Sequence, residues 1–474
     1  MFPKISKITE NRQNISTATL IESSDQIIDN RLTQDEKRYF SLQLEKNEDC
    51  SLLKVPILLF YKKVGTSKEH YLALEAARTA GSKLYSKLKS AKIESVQLQN
   101  FCAGDYLSAF LEGLLLSVYT FDKYLKEKES FVLNEIFLIG EISPSEIDEL
   151  LTLTKAVFAA RDLVNEPLSY LTAQQFSKEI EKLGEIAGFS VEVFNKQKIE
   201  ALKMGGLLAV NRGSIDPPTF NILEWKPNNA KNSKPIVLVG KGIVFDTGGL
   251  SLKPTPNSMD FMKTDMAGGA VVVTTLFALA QNKIPVHVVA LVPATDNRPD
   301  GNAYVPGDII TMFDGTTVEI RNTDAEGRLI LADALSYAKK YGPLLVVDYA
   351  TLTGAADIVA GQYAAVAMGN TPANLEKLKS TGLDTFERLI EVPLWEEYAK
   401  PLKSKIADLN NLGVREAQST IAGKFLEHFT DYEWIHIDSA GTPYLNEADS
   451  YRPAGGTGYG TRLLYHFIKR SFAM

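Results

Sequence analysis

Cysteine is scarce in this sequence. Cys50 and Cys102 are the only two among 474 residues, too few and too far apart for a disulfide framework or a thiolate metal cluster. We therefore expect a reducing, cytoplasmic environment. The opening residues, MFPKISKITENRQNIS, mix charged and amide side chains from the start and contain no apolar core like that of a secretory signal. Export is not expected.

Long hydrophobic runs are absent as well. A membrane-spanning helix needs about 20 predominantly apolar residues. The segment between Leu107 and Phe121 contains Glu112, and the segment between Ala270 and Ala280 is shorter and contains two threonines. The sequence therefore predicts no membrane-spanning segment.

Histidine is rare, and none of the histidines has the HExxH spacing of a zinc protease. The five are His70, His287, His428, His436 and His466. A conventional histidine zinc site is therefore disfavoured. No Gly-x-Ser-x-Gly elbow accompanies a suitable triad, and neither cysteine lies near the acidic motifs described below, which disfavours covalent catalysis by serine or cysteine.

The remaining composition is that of an average globular chain, with 45% hydrophobic and 23% charged residues. Such a chain buries a substantial core, and its length suits two domains. The 51 basic and 58 acidic side chains give a formal net charge of -7. This balance provides no general attraction to nucleic acid or to an anionic membrane, and we expect neither as a partner.

Strand-like and helix-like segments alternate in the first part of the chain. ILLFY at 57–61 and IFLIG at 136–140 are typical of strands, and helical patterns occupy 70–88 and 106–121. After Pro144, apolar residues follow helical spacing and stop before Pro167. These elements predict a small N-terminal α/β domain at residues 1–150 and a connecting helix at residues 151–170.

A denser α/β pattern follows and predicts a larger C-terminal domain at residues 171–474. Thr172 suits the N-cap of a helix, after which FSVEVF and GLLAVN are expected as strands. Three further runs have apolar residues on both faces of the expected strand, as strands covered by helices on both sides should: IVLVG, VHVVALV and LLVVDYA. Helical patterns lie between them at 267–281 and 327–341. We therefore expect a mixed, mostly parallel central sheet flanked by helices.

Three motifs place acidic residues at strand ends or helix starts. GKGIVFDTGG places Lys241 and Asp246 at a strand end, and MKTDMAGG places Asp265 at a helix start. NTDAEGRL places Asp324 and Glu326 at the start of another helix. A doubly wound sheet would bring these loops to one edge, where so many carboxylates cannot all stay ionised without cations between them. A metal site with oxygen ligands would serve them all.

Each motif also has an ordinary structural interpretation. Asp265 before an apolar helix is commonly an N-cap, and Asp324 followed by Glu326 suits a helix start favoured by the helix dipole. Lys253 and Arg328 would ordinarily be solvated. The glycine-rich GKGIVFDTGG competes as a phosphate cradle, but it lacks the required spacing of the phosphate-binding loop. Independent occurrence of all these patterns is improbable, whereas one dinuclear metal site requires them together.

The same motifs closely resemble those of the leucyl aminopeptidase family, the two-metal cytosolic aminopeptidases that form hexamers. NTDAEGRL matches letter for letter, and GKGxxFDxGG, SLKP, MKxDMxGG, DxATLTGA and HxDxAG also match, from about Arg161 to the C-terminus. The resemblance implies a cytoplasmic metalloprotease of the exopeptidase type. It would hydrolyse peptide substrates as a homohexamer, with residues 171–474 as its catalytic domain.

The resemblance also implies a set of metal ligands. Asp246 and Glu326 would bridge two divalent ions, Lys241 and Asp265 would complete the tighter site, and Asp324 would complete the more exchangeable one. Zinc and manganese are the ions expected first, although oxygen ligands also accept magnesium or cobalt. A lysine coordinates only as the neutral amine, so the ion must displace its proton.

Lys253 and Arg328 resemble the two catalytic side chains of that family. The resemblance implies that a water or hydroxide between the two ions attacks the scissile carbonyl, while one ion and Lys253 stabilise the oxyanion. Arg328 would hold a bicarbonate that relays the proton. The free α-amine of the substrate would bind an ion and Asp265, which restricts cleavage to N-terminal residues.

Four further residues match positions that line the pocket for the first side chain of the substrate. They are Met262, Thr351, Leu352 and Gly354. A pocket of this composition suits leucine and other apolar residues. The later segment TPYLNEADSYRPAGGTGYGTRLL is more polar than the family pattern, which leaves the side-chain preference open.

Two alternatives stay open at this point. A dinuclear hydrolase of another bond, such as a phosphoester, needs the same ligands. A relative with a DNA-binding regulatory role is the other, and the net charge of -7 argues weakly against it. His436 and Asp438 in the apolar strand WIHIDSAG are interpreted as structural, since a histidine in such a strand is commonly a satisfied core group.

Overall fold

The computed structural model describes residues 2–46, 49–65, 67–102 and 104–473. The chain divides into two compact units. Unit 1 comprises Met1–Lys155 and Glu447–Ala454, and unit 2 comprises Ala156–Asn446 and Gly455–Met474.

Unit 1 is built on a six-stranded sheet. Its strands are β1 (Lys4–Lys7), β2 (Ser16–Ile21), β3 (Cys50–Lys54), β4 (Ile57–Lys63), β5 (Ser95–Asn100) and β6 (Glu135–Ile139). Its helices are α1 (Gln34–Glu45), α2 (His70–Ser90), α3 (Tyr106–Leu116) and the first part of α4 (Pro144–Asn165). The strand order is β1-β6-β5-β2-β4-β3, with β3 antiparallel to β4 and the other pairs parallel.

Unit 2 contains the remaining strands. They are β7 (Ser190–Phe194), β8 (Thr219–Trp225), β9 (Ile236–Gly240), β10 (Gly242–Asp246), β11 (Val288–Asn297), β12 (Ile309–Thr311), β13 (Thr317–Glu319), β14 (Leu345–Ala350), β15 (Ala364–Gly369), β16 (Arg388–Glu391), β17 (Leu409–Asn410), β18 (Trp434–Asp438), β19 (Tyr444–Leu445) and β20 (Gly455–Gly456).

The helices of unit 2 cover its main sheet. They are α5 (Ala173–Ala187), α6 (Lys196–Ala201), α7 (Gly205–Asn211), α8 (Ala267–Gln281), α9 (Gly327–Ala338), α10 (Gly354–Ala360), α11 (Pro372–Thr385), α12 (Gln418–Glu427) and α13 (Thr461–Phe472). The sheet has nine strands in the order β16-β15-β18-β14-β9-β11-β8-β7, with β10 paired to β11. Because β9, β10, β11, β14 and β18 run parallel, their carboxyl ends lie at one edge.

The fold class is confirmed, since both units combine parallel-rich sheets with flanking helices. Thr172 caps α5 by accepting a hydrogen bond from the backbone N–H of Gln175. The predicted helix at 106–121 ends earlier, at Leu116.

The prediction of a strand at GLLAVN is wrong, because these residues lie in α7. Leu207 and Val210, one helical turn apart, are both fully buried. The N–H of Leu207, near the start of the helix, is satisfied by Oδ2 of Asp333 at 2.9 Å. A short apolar run buried on most sides has no clear period, so the sequence pattern could not separate helix from strand.

One helical stretch, Met259–Gln281, is long and apolar enough to cross a membrane by length and composition. However, 94% of its most apolar window is buried inside the protein. It includes α8, which packs against the central sheet and α13. This stretch is therefore a core element of unit 2.

Candidate active site

The five candidate metal ligands lie at the carboxyl edge of the main sheet of unit 2. Lys241 follows β9 directly, and Asp246 is the last residue of β10. Asp265 lies two residues before α8, and Glu326 immediately precedes α9, with Asp324 just ahead of it. The glycines and short helices at these strand ends let three separate segments converge, as the sequence predicted.

The ammonium of Lys241 lies at the centre of one half of the site. Its Nζ atom lies 2.7 Å from Asp265 and 2.9 Å from Oε1 of Glu326. It also donates a hydrogen bond to the backbone carbonyl of Thr351 at 2.8 Å. Burial alone would lower the pKa of Lys241, but the carboxylates of Asp265 and Glu326 outweigh it and raise that pKa. Without a cation beside it, the amine stays protonated.

Lys253 occupies the other half of the site. Its Nζ atom lies 3.0 Å from Oδ2 of Asp246 and 2.5 Å from Oδ1 of Asp324. The ordinary interpretation of this residue as a solvated loop lysine is therefore wrong, because its ammonium points into the carboxylate cluster. The two lysines neutralise part of the charge that the four carboxylates concentrate here.

The donor set fits divalent cations. Asp246, Asp265 and Glu326 are buried and can each offer one ligand atom within 4.8 Å of the others. Oε2 of Glu326 has no hydrogen-bond partner among the described residues. Burial and repulsion from Glu326 raise the pKa of Asp246 to about 7, and burial raises the pKa of Asp265 well above its usual range. A cation between these oxygens would relieve both penalties.

Arg328 lies on the first turn of α9 and is buried with 2% of its surface exposed. Its Nε and Nη1 atoms have no hydrogen-bond partner among the described residues. Burial lowers the pKa of this guanidinium to about 10, although Glu326 and Asp438 oppose the change. Buried guanidinium nitrogens without partners suit an anionic ligand. The expectation of an ordinary exposed helix residue does not hold.

Gly327, between Glu326 and Arg328, makes room for Lys241. A Cβ atom at this position would lie 2.5 Å from Cε and 2.8 Å from Nζ of Lys241. The helix start can therefore approach the lysine only because this residue has no side chain.

One of the predicted pocket residues, Thr351, contacts the cluster directly. Its Oγ1 donates to Oδ1 of Asp265 at 2.8 Å. Leu352 is the next residue in the loop, and Gly354 is the first residue of α10. Met262 is half-buried in the 3-10 segment Met259–Thr264, which leads to Asp265.

The loop that carries Thr351 and Leu352 is held by Asp438. Its Oδ1 accepts from the backbone N–H groups of Leu352 and Thr353 at 3.0 and 3.2 Å. Its Oδ2 accepts from Oγ1 of Thr353 at 2.6 Å. Asp438 thus ties the end of β18 to the loop at 351–353.

His436 makes different contacts. Its Nδ1 lies 2.5 Å from Oδ1 of Asp348, whose Oδ2 accepts from Nε1 of Trp434 at 2.6 Å. All three side chains are fully buried. Burial alone would lower the pKa of His436, but the Asp348 carboxylate outweighs it and raises that pKa.

Two asparagines that the motifs did not single out also lie in this site. Asn411 accepts from the backbone N–H of Arg321 at 2.8 Å and donates to the carbonyl of Asn322 at 2.7 Å, which fixes the loop ahead of Asp324. Asn297 contacts Asp246 itself. The sequence carried no motif for either: Asn297 ends the apolar strand β11, and Asn411 follows the two-residue strand β17.

Comparison with known proteins gives a consistent result. A profile of the Cytosol aminopeptidase family, catalytic domain, matches residues 158–465, more than half of the chain. The chain is 43% identical over 421 residues to a probable cytosol aminopeptidase of Chlorobium limicola, covering 83% of each protein. It is 49% identical over 314 residues to a probable cytosol aminopeptidase of Chlorobaculum parvum, covering 66% of this chain and 62% of the relative.

A solved structure is similar over nearly the whole chain. The bottromycin maturation enzyme BotP in complex with Mn superimposes with a TM-score of 0.84 at 29% identity, covering 96% of this chain and 99% of that one. The similarity therefore extends through both units rather than being confined to the region that the family profile matches.

Proposed function

Because this chain belongs to the cytosol aminopeptidase family, we propose that it acts as a metal-dependent aminopeptidase on peptides with leucine or another apolar residue at the N-terminus. Membership of the family establishes the reaction class, which is hydrolytic removal of N-terminal residues. The proposal concerns the substrate, the ions and the part of each residue. The observation that carries it is the convergence of Asp246, Asp265 and Glu326 around Lys241.

Five side chains would hold two divalent ions in this proposal: Lys241, Asp246, Asp265, Asp324 and Glu326. Zinc and manganese are the first choices, and magnesium or cobalt would be accepted by the same oxygens. Manganese is the ion named with the similar BotP structure. When bound, such ions supply Lewis acidity toward the scissile carbonyl and make water at the site a better nucleophile.

The side chains of the protein itself would orient the substrate and stabilise charge. Lys253 would direct its ammonium at the carbonyl oxygen as negative charge develops there. Asp265 would accept a hydrogen bond from the free α-amine, which restricts the reaction to N-termini. Arg328 would bind a small anion such as bicarbonate through Nε and Nη1, which lack partners among the described residues. Arg328 would thereby hold a proton acceptor beside the site of water attack.

The first side chain of the substrate would lie against Met262, Thr351, Leu352 and Gly354. Methionine and leucine offer apolar contact, and glycine leaves space at the start of α10. This composition supports a preference for leucine over charged residues.

We place the protein in the cytoplasm as a homohexamer, with an N-terminal α/β domain at residues 1–150, a connecting helix at 151–170 and the catalytic domain at 171–474. Support for the location comes from the relatives, which are named cytosol aminopeptidases, and from the two free cysteines. Equilibrium sedimentation of the purified chain measures the oligomeric state directly.

Cleavage of a leucine dipeptide and of its N-acetylated form tests the function. Both substrates are incubated with chelated protein, and with protein to which Mn²⁺ or Zn²⁺ has been restored. We expect cleavage of the free-amine dipeptide alone, and only with metal. A phosphoester substrate is included in parallel. Metal-restored cleavage of the phosphoester without cleavage of the dipeptide would overturn the proposal.

A further inference from the structure

Asn297 is the last residue of β11 and lies beside the proposed metal site. It is fully buried, and its Cα is in register with that of Asp246 across the parallel pair β10–β11. A side-chain amide without any exposed surface must find its hydrogen-bond partners inside the protein, since water cannot reach it. The partners of this amide are therefore informative.

The side-chain amide donates to both ligand-bearing segments. Its Nδ2 donates to Oδ1 of Asp246 at 2.8 Å and to the backbone carbonyl of Thr323 at 3.0 Å. Thr323 immediately precedes Asp324. One side chain thus links the end of β10 to the loop that enters α9, and both N–H groups of the amide are used.

The two carboxylate oxygens of Asp246 therefore have different partners. Oδ1 accepts from Asn297 and also from the backbone N–H of Gly248 at 2.8 Å. Oδ2 faces Lys253 in the interior of the cluster, at 3.0 Å. Because Oδ1 is held by two donors, the plane of the carboxylate is fixed and Oδ2 is directed at the cluster.

The backbone of Asn297 adds a second restraint. Its carbonyl accepts from the N–H of Thr247 at 2.9 Å and from Oγ1 of Thr247 at 2.8 Å. Thr247 follows Asp246, so the carboxylate and the residue after it are both tied to the end of β11. A neutral amide achieves this without adding charge to a site that already contains four carboxylates.

We propose that Asn297 is a positioning residue that orients Asp246 for divalent-metal binding. This inference rests on the proposed function, since it assumes that Asp246 is a ligand. Outer partners of this kind typically change metal affinity by about 10- to 100-fold when removed. Asn297→Leu keeps the branching and the number of heavy atoms of the side chain and removes both donated hydrogen bonds.

Asn221 provides a matched control. It is also an asparagine, is also fully buried, and lies on β8 in the same sheet. Its Nδ2 donates to the backbone carbonyl of Val292 at 3.0 Å rather than to a proposed ligand. In each asparagine Oδ1 lacks a partner among the described residues. Asn221→Leu therefore imposes a similar burial cost without disturbing Asp246.

The experiment is calorimetric titration of Mn²⁺, and in parallel of Zn²⁺, into chelated full-length protein, for wild type, Asn297→Leu and Asn221→Leu. Urea unfolding of the chelated proteins measures how far each substitution destabilises the fold. We expect Asn297→Leu to raise the Kd for Mn²⁺ by about 10- to 100-fold, and Asn221→Leu to leave it within about threefold of wild type. Asn297→Ala is measured as well and replaces the leucine variant if that one does not fold.

The outcomes separate this inference from the function on which it rests. Wild-type protein that binds no Mn²⁺ or Zn²⁺ would refute the metal site and, with it, the role of Asn297. Wild-type binding together with equal Kd values for the Asn297 and Asn221 variants would overturn the positioning role alone.

Discussion

The Nζ atom of Lys253 lies 3.0 Å from Oδ2 of the buried Asp246. The lysine reaches this carboxylate from the loop after β10, so its ammonium shares the interior of the site with the proposed ligands. The protonated ammonium neutralises part of the charge of Asp246 and Asp324. It is available to stabilise negative charge that develops on a substrate.

Replacing this lysine should therefore impair turnover without emptying the site. We expect Lys253→Ala to lower kcat by about 100- to 1,000-fold, as for other donors to a developing oxyanion, with metal content unchanged by elemental analysis. Lys379→Ala removes a lysine whose ion pairs lie at the surface and serves as the control. Wild-type turnover in Lys253→Ala would contradict the role.

Arg328→Ala should lower kcat to a similar extent, because the anion that it would hold could no longer accept a proton. We expect added bicarbonate to increase the turnover of wild type but not of the variant, measured by release of free leucine. An equal response of both proteins to bicarbonate would exclude Arg328 as its binding residue.

Asp246→Asn should deplete the site of metal, because an amide cannot supply the charge that a bridging carboxylate provides. We expect less than two ions per chain after dialysis, measured by elemental analysis. Asp216→Asn, which changes a partly exposed aspartate paired with Arg298, should retain the wild-type content. Two tightly bound ions in Asp246→Asn would refute the assignment of this ligand.

Asp438→Asn should affect the pocket more than the chemical step. The substitution removes the charge that strengthens three hydrogen bonds to Leu352 and Thr353, and bonds to charged groups contribute a net of about 1.5–3 kcal/mol each. We expect KM for a leucine dipeptide to rise several-fold while kcat changes little. A selective fall in kcat with unchanged KM would argue for a role in the reaction itself.

The pair His436–Asp348 should make stability depend on pH. The folded-state pKa of His436 is raised above its usual value of 6.5, so the stability that the pair contributes is fully present below pH 6.5 and is lost as the pH rises through the folded-state pKa. The difference in unfolding free energy between wild type and His436→Gln, from urea titrations of chelated protein, should therefore shrink as pH increases. A difference independent of pH would contradict the raised pKa.

The sequence was most informative where local chemistry and pattern agree. Thr172 is both a good N-cap residue and the observed cap of α5, and the run IVLVG is the observed strand β9. The acidic motifs were expected at one sheet edge because parallel strands end together, and the structure brings ligand atoms of Asp246, Asp265 and Glu326 within 4.8 Å of one another there.

What the sequence could not give depends on distant partners. Nothing local distinguishes Asn297 from any other asparagine at a strand end, because its partner Asp246 is 51 residues away. The sequence pattern around Arg328 is that of an exposed helix residue, and only the structure shows that the first turn of α9 is buried. Most residues of α7 are buried, so this helix has no polar face that would reveal a helical period in the sequence.

The loop at 351–353 also constrains the order in which the protein can mature. The carbonyl of Thr351 meets Lys241 across 110 positions of sequence, and Thr353 meets Asp438 across 85. Contacts of such long range form late, after the chain between them has been made and collapsed. During synthesis the active site is therefore incomplete until β18 has left the ribosome and joined the sheet. Chains that end before β18 should be unable to hydrolyse peptides.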